Sequence, residues 1–431
     1  MKQKVVEKRY LFPFIMVTLL FLLWGIANNM TDTLLAAFKR IMSMSDTQTS
    51  LIQFAFYGSY FCFALPAALY IKRYSYKAGV ILGLCLYASG AILFFPAAKT
   101  ASYAFYLIAI YILAGGCSVL ETTANPYILA MGAPETATRR LNVAQAFNPI
   151  GSITGILLSQ FFILSELSSA SAEQRAAMSP GELESMQAHE LNAVTGTYMT
   201  LGFVLLAIML VMVFARMPEG SDQGSNGKLG ETFRRLFSDK VYARGVIAQF
   251  FYNGAQIGCW SFTIRIVMEE LGWLEAQAAS FYLYAIIGFC VSRFIYTWLM
   301  KYFRPSVLLA FGGVMSLICV LVVFFGKGTG MVMVAFLMLT SVFMSLMFPT
   351  IYGLALGSIS EGSHPEDSKI GASGLIMSIF GGAVITPLQG LVSDNFGIYA
   401  SYIVPAICFA VILAYALYVV RVENGKLAAK A

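Results

Sequence analysis

Long apolar runs recur from one end of this chain to the other, and the polar residues that interrupt them fall in a regular order. A run of about 18 or more apolar residues is long enough to cross a hydrocarbon layer of ~30 Å as an α-helix. Twelve spans are predicted, at 10–38, 48–71, 78–98, 103–132, 141–165, 193–215, 242–268, 276–300, 306–326, 330–358, 370–392 and 398–420. The expected fold class is therefore an all-α membrane protein with twelve transmembrane helices. Most connections are short, as antiparallel neighbours in a bundle require. Two are longer. In 166–192, Ser179-Pro180-Gly181-Glu182 predicts a capping box opening a short surface helix. The stretch 217–240 is rich in Gly, Ser and charge and suits a linker between two halves.

The spans differ in polarity with a period of three. Spans 3, 6, 9 and 12 carry no charge or amide and read as lipid-facing. Span 1 has Asn28 and Asp32; span 4 has Glu121 and Asn125; span 7 has Gln249, Asn253, Gln256 and Trp260; span 10 has Ser341, Ser345 and Tyr352. That order predicts an aqueous cavity walled by four helices, two from each half. Span 5 adds Asn142, Gln145 and Asn148, with Gly151 and Gly155 at a spacing that lets helices approach closely. Its amides suit cavity lining or interhelical hydrogen bonding equally.

The first span sets the functional question. Tyr10 to Phe38 as one helix is ~43 Å long. Asp32 then lies about two turns from its end, on one face with Trp24 and Asn28. An ionised Asp costs ~2.5–3.5 kcal/mol at a helix centre on the insertion scale, so intramembrane carboxylates mark substrate or ion pathways. Of the basic residues within spans, Arg265 sits near an interface beside Glu269-Glu270, whereas Arg293 lies deeper, as a contact between domains or a gate.

Composition agrees. Of 431 residues 58% are hydrophobic and 12% charged, with mean hydropathy +0.74, which excludes a soluble domain. The net charge of +6 reflects loop placement and is no sign of nucleic-acid binding. With these spans, 21 Lys and Arg fall on the side of the termini and linker and five on the other, so both termini are expected in the cytoplasm. The seven cysteines all lie in apolar runs and both histidines in loops, which argues against disulfides and a metal site. The basic N-terminus followed by an apolar run reads as an uncleaved first span. "IKRYSYKAGVILG" after span 2 is echoed by "LMKYFRPSVLLAF" after span 8, about 229 residues on. Pro126 and Pro149 are echoed by Pro349 and Pro387. A parallel six-plus-six repeat follows, divided into 1–215, a linker at 216–241, and 242–431.

Amides, hydroxyls and an aromatic around a cavity suit a sugar: amides match vicinal hydroxyls and an aromatic face stacks on a pyranose ring. Carboxyls in a low-dielectric interior disfavour their charged form and can exchange a proton. Nucleotide-binding and nucleophile motifs with supporting context are absent, so neither an ATP-driven pump nor an enzyme is expected.

"LLWGIANNMTD" at Leu22–Asp32, "LETTANPY" at Leu120–Tyr127, "RLNVAQAFN" at Arg140–Asn148, "AQFFYNGAQIGCWS" at Ala248–Ser261 and "GLVSD" at Gly390–Asp394 resemble the fucose permease branch of the major facilitator superfamily, the fucose–galactose–glucose:proton symporters. The resemblance spans Tyr10 to Val420. It implies two pseudo-symmetric six-helix bundles and import of a monosaccharide, L-fucose foremost, by proton symport with alternating access. It assigns proton exchange to Glu121 and coupling to Asp32, and it puts Asn28, Gln145 and Asn148 around the sugar. Gln256, Trp260 and Tyr352 fall in similar cavity-facing motifs, and Asn125 and Asn253 complete the expected substrate set. Two departures bear on the sugar: Asn253 replaces an apolar residue, and Thr31 an Asn. The superfamily's usual Asp after span 2 is missing from "YIKRYSYKAG". The expectation is a monomer in the inner membrane that needs no cofactor beyond the coupling ion. Sodium-coupled hexose symport, a facilitator or exporter on the same fold, a channel and a sugar receptor are the alternatives.

Overall fold

The computed structural model describes residues 5–42, 46–100, 102–168, 170, 174–175, 177–217, 229–360 and 367–429; side chains at 28, 31–40, 46–51, 53, 164, 275–276 and 360 lie outside that description. In the first half the helices are Leu11–Ile41 (α1), Asp46–Arg73 (α2), Tyr76–Ile92 (α3, prolonged by Phe94–Thr100), Tyr103–Leu129 (α4), Ala137–Gln145 (α5), Asn148–Phe162 (α6) and Pro180–Phe214 (α7). A linker helix, Leu229–Ser238 (α8), leads to Lys240–Leu271 (α9), Glu275–Leu299 (α10), Pro305–Phe325 (α11), Met331–Met344 (α12), Met347–Ser360 (α13), Asp367–Met377 (α14), Gly381–Phe396 (α15) and Ile403–Ala428 (α16).

Ten segments among the described residues are long and apolar enough to span a membrane. The other two predicted spans differ for physical reasons. Span 5 is two pieces, α5 and α6, of nine and 15 residues, broken before Pro149. Span 7 is one helix of 32 residues whose amides and arginines dilute its hydropathy. Both run among the other spanning helices, α6 along α1 and α9 against α13, α15 and α16.

The expected capping box is present: Ser179 accepts from the Glu182 amide, and the Glu182 carboxylate accepts from the Ser179 N–H. It does not open a separate surface helix, however. Nothing after Pro180 stops the helix, so it continues to Phe214 as one element of 35 residues. Arg175, in the 166–192 connection, is buried in a two-pronged pair with Glu190 at 2.9 and 2.5 Å. The bare span 3 is lipid-facing on one side only, since Gly83, Gly90 and Gly116 bring α3 and α4 nearly backbone to backbone.

The same close packing occurs once in each half. A Cβ on Gly151 of α6 would lie 1.9 Å from the Leu22 carbonyl oxygen of α1, and one on Gly381 of α15 would lie 2.1 Å from the Phe250 oxygen of α9. Only glycine permits either approach.

The halves meet on the side of the linker. Asn142 of α5 donates to Thr350 Oγ1 of α13 at 3.3 Å, and Gly353 abuts Thr138. Lys369 of α14 caps the Tyr76 ring at 4.9 Å, and Tyr76 stacks on Tyr127. This cation–π contact sits beside the loop that lacks the expected Asp. Asp367 ties α14 to the linker through Arg235, at 2.6 and 2.9 Å, and Thr232.

Candidate functional site

Between the halves lies a cavity of about 600 Å³, within the usual range for small-molecule sites. Its walls come from more than the four predicted helices. Spans 2, 5, 8 and 11 contribute Tyr60, Gln145, Arg293 and Ile379, while span 10 contributes Phe348. A polar stripe along one helix therefore underestimates the lining, because neighbouring helices also present side chains.

Glu121 is the buried acid of the site. It lines the cavity at 1% exposure, and neither carboxyl oxygen has a hydrogen-bond partner among the described residues. Buried polar groups are normally paired, so an unpaired acid at a cavity wall is a place for a proton or a ligand. Tyr60 and Tyr352 lie close enough to interact with its charge.

Beside it runs a chain of amides. Asn125 donates to the Glu121 main-chain oxygen at 3.0 Å, and Gln145 Nε2 donates to Asn125 Oδ1 at 2.7 Å. Gln145 faces the cavity with Asn125 behind it, outside the lining. With one Nε2 hydrogen engaged by Asn125, the side chain of Gln145 can offer a ligand its carbonyl acceptor and its second N–H. Asn148 lines the cavity and donates to the Phe21 oxygen at 3.3 Å.

The opposite wall is amide and aromatic. Asn253 and Gln256 line the cavity from α9, with Asn253 donating to the Gln249 oxygen at 2.7 Å. Trp260 is fixed by its Nε1–H bond to Ser341 Oγ at 3.1 Å and by the edge of Phe289 at 5.1 Å. On the first half Trp24 is anchored similarly, through Nε1–H to Tyr60 Oη at 2.7 Å. Two immobilised indoles beside amides and an acid form a site that can grip a polyol on its polar and apolar faces.

Of the candidate site residues, Glu121, Gln145, Asn148, Asn253, Gln256 and Trp260 are brought together around this cavity. Asn125 and Tyr352 are not in the lining; both are fully buried, and the Tyr352 hydroxyl has no partner among the described residues. Asn28 and Asp32 belong to the α1 backbone, but their side chains lie outside the described residues. No cluster of three or more His, Cys, Asp or Glu that could hold a metal occurs among the described residues.

A family model described as Major Facilitator Superfamily matches residues 14–380. The chain belongs to that superfamily. It is 43% identical over 430 residues to the L-fucose-proton symporter of Haemophilus influenzae, covering 96% of this chain and 98% of the relative. To the L-fucose-proton symporter of Escherichia coli it is 37% identical over 419 residues, covering 96% and 94%. A glucose/galactose transporter of Brucella abortus is 32% identical over 416 residues, covering 95% of each. Among solved structures, the superfamily transporter FucP in the outward conformation matches with TM-score 0.87 at 35% identity, covering 95% of this chain and 99% of that one.

Within this superfamily fold, the sequence reading missed part of the wall. Asn29, Tyr57, Tyr60, Tyr252 and Tyr282 all line the cavity. Tyr57 and Tyr60 are three apart in span 2, a helical spacing that could have flagged them; Tyr282 had no such signal. Arg293 is a contact between the halves. Its Nε donates to the Ser345 oxygen at 2.7 Å, its Nη1 to the Gln145 oxygen at 3.1 Å, and its guanidinium lies over Phe289.

Proposed function

We propose that this protein imports L-fucose together with a proton, by alternating access of the two halves about the central cavity. The observation that carries the reading is the unpaired Glu121 carboxyl beside the Gln145 acceptor, in a chain 43% identical over nearly its full length to an L-fucose-proton symporter. Glu121 takes up the proton, and Asp32 couples its movement to the sugar. Gln145, Asn148, Asn253 and Gln256 bind hydroxyls, while Trp260 and Trp24 cover the ring. Asn125 orients Gln145, and Tyr352, buried outside the lining, lies within electrostatic reach of Glu121. The site is expected to act without a cofactor, with the proton as coupling ion and sodium as the second candidate.

The linker-side excess of Lys and Arg supports cytoplasmic termini in a bacterial inner membrane, and the chain is proposed to act as a monomer. Glucose and galactose are the second reading, favoured by relatives of that name at 32% identity.

Uptake of labelled L-fucose into vesicles, with the proton and sodium gradients collapsed in turn, tests both sugar and ion. Loss of accumulation only on collapse of the proton gradient is expected, with excess L-fucose competing better than galactose, glucose, arabinose or mannose. Accumulation that survives proton collapse and fails on sodium collapse would overturn the coupling. Stronger competition by galactose or glucose would overturn the sugar.

A further inference from the structure

In an α-helix each carbonyl accepts from the N–H four residues on, and proline has no N–H to give. Pro149 therefore leaves the Gln145 oxygen without its helical donor, and Pro349 does the same to the Ser345 oxygen. These are the two oxygens that Arg293 takes, at 3.1 Å through Nη1 and 2.7 Å through Nε. Gln145 belongs to the first half; Ser345 and Arg293 belong to the second. The breaks in spans 5 and 10 and the one deeply buried arginine of α10 thus form a single unit.

Arg293 is 3% exposed and has no ion-pair partner among the described residues. Its charge is met by carbonyl dipoles and by the face of Phe289 at 4.6 Å. The fork geometry of a guanidinium lets one side chain reach two carbonyls on different helices, which a lysine's point charge serves poorly.

We infer that Arg293 is a latch between the halves and the positioning residue for Gln145. The bond to Ser345 stays within the second half, whereas the bond to Gln145 crosses between halves. It must break when the linker side opens. While it holds, it fixes the backbone of Gln145, whose side chain is oriented separately by Asn125. Closure on the linker side and the geometry of a cavity acceptor therefore depend on the same hydrogen bond. The inference uses the transport reading for one of its two readouts only.

The test uses Thr350→Cys, which lies fully buried on the linker side between the halves, and follows its alkylation by a maleimide without any sugar. Arg293→Gln should speed alkylation ~10-fold, the weight of one charge-assisted hydrogen bond. Pro149→Ala keeps the arginine but returns a helical donor to the Gln145 oxygen, and should speed alkylation similarly. The double variant should match either single one, because both remove the same bond. Half-saturation for L-fucose exchange should rise in Arg293→Gln and fall back when Pro149→Ala is added, since the Gln145 oxygen regains a donor. Alkylation within twofold of the parent in both single variants, or multiplied effects in the double, would overturn the latch. Should Arg293→Gln not fold, Pro149→Ala carries the alkylation test alone. Should no variant or parent transport L-fucose while alkylation behaves as expected, the latch stands and the substrate assignment falls.

Discussion

Glu121→Gln separates proton coupling from sugar movement. Glutamine keeps the volume and neutrality of a protonated glutamic acid, so the cavity and its amide chain remain, but it cannot release a proton. Glu121 is 1% exposed with both oxygens unpaired among the described residues, so an ionised carboxylate there carries a desolvation cost of several kcal/mol. The neutral amide avoids that cost. Thermal stability of the variant in detergent should therefore equal or exceed that of the parent. Transport should change in kind. A membrane potential of 100 mV acting on one charge supplies ~2.3 kcal/mol, which at ~1.4 kcal/mol per factor of ten supports about 50-fold accumulation. In vesicles energised to that potential, the parent should approach this ratio and the variant should stay near one. Counterflow of labelled against unlabelled sugar, which needs no net proton movement, should persist within a few-fold. Accumulation by the variant equal to the parent's would refute a coupling role for Glu121. Loss of counterflow together with accumulation would refute the separation of the two functions.

Other contacts make further predictions. Gly151→Val drives a side chain into the Leu22 carbonyl and should cost about 3 kcal/mol or more, read as loss of monodisperse protein, whereas Gly181→Ala meets nothing within 4 Å and should be neutral or better. Asp367→Asn weakens the fork to Arg235 and should lower stability by about 1–3 kcal/mol and quicken proteolysis in the linker next to α8. Glu270, past the end of span 7, accepts from the Gly328 and Gly330 amides and the Tyr399 hydroxyl. Partial burial pushes its carboxyl up, but those three donors and Lys327 outweigh that and hold it below the usual range. Because its folded value is lowered, its contribution is complete above the ordinary carboxylate range and is lost as pH falls through the lower folded value. Melting of Glu270→Gln should therefore lose part of its acid dependence in that window, and an unchanged pH profile would contradict the assignment.

The fold was legible because lipid imposes its own rules. Spans must be long and apolar, and a buried amide or acid stands out against such a background. Glu121, Gln145 and Gln256 could be read for that reason. What hid was whatever depends on tertiary partners. Asn125 and Gln145 are the same chemistry at the sequence level, yet Gln145 lines the cavity and Asn125 stands behind it, because the two pair across helices, which no periodicity within either helix records. Tyr60 escaped notice as an ordinary aromatic until Trp24 was found bonded to it. Pro149 and Pro349, which pair with Pro387 and Pro126 in the repeat, bend their helices. A bend also leaves a carbonyl unsatisfied, and in a dry interior that carbonyl has to find a donor. Counting four residues back from Pro149 and Pro349 gives Gln145 and Ser345, and the remaining question is which buried donor can reach both. Within the predicted spans the sequence holds three arginines, and two of them are exposed: Arg244 over the ring of Tyr418 and Arg265 beside that of Phe262. With those two set aside by their exposure in the fold, Arg293 is the span arginine left to meet both freed oxygens.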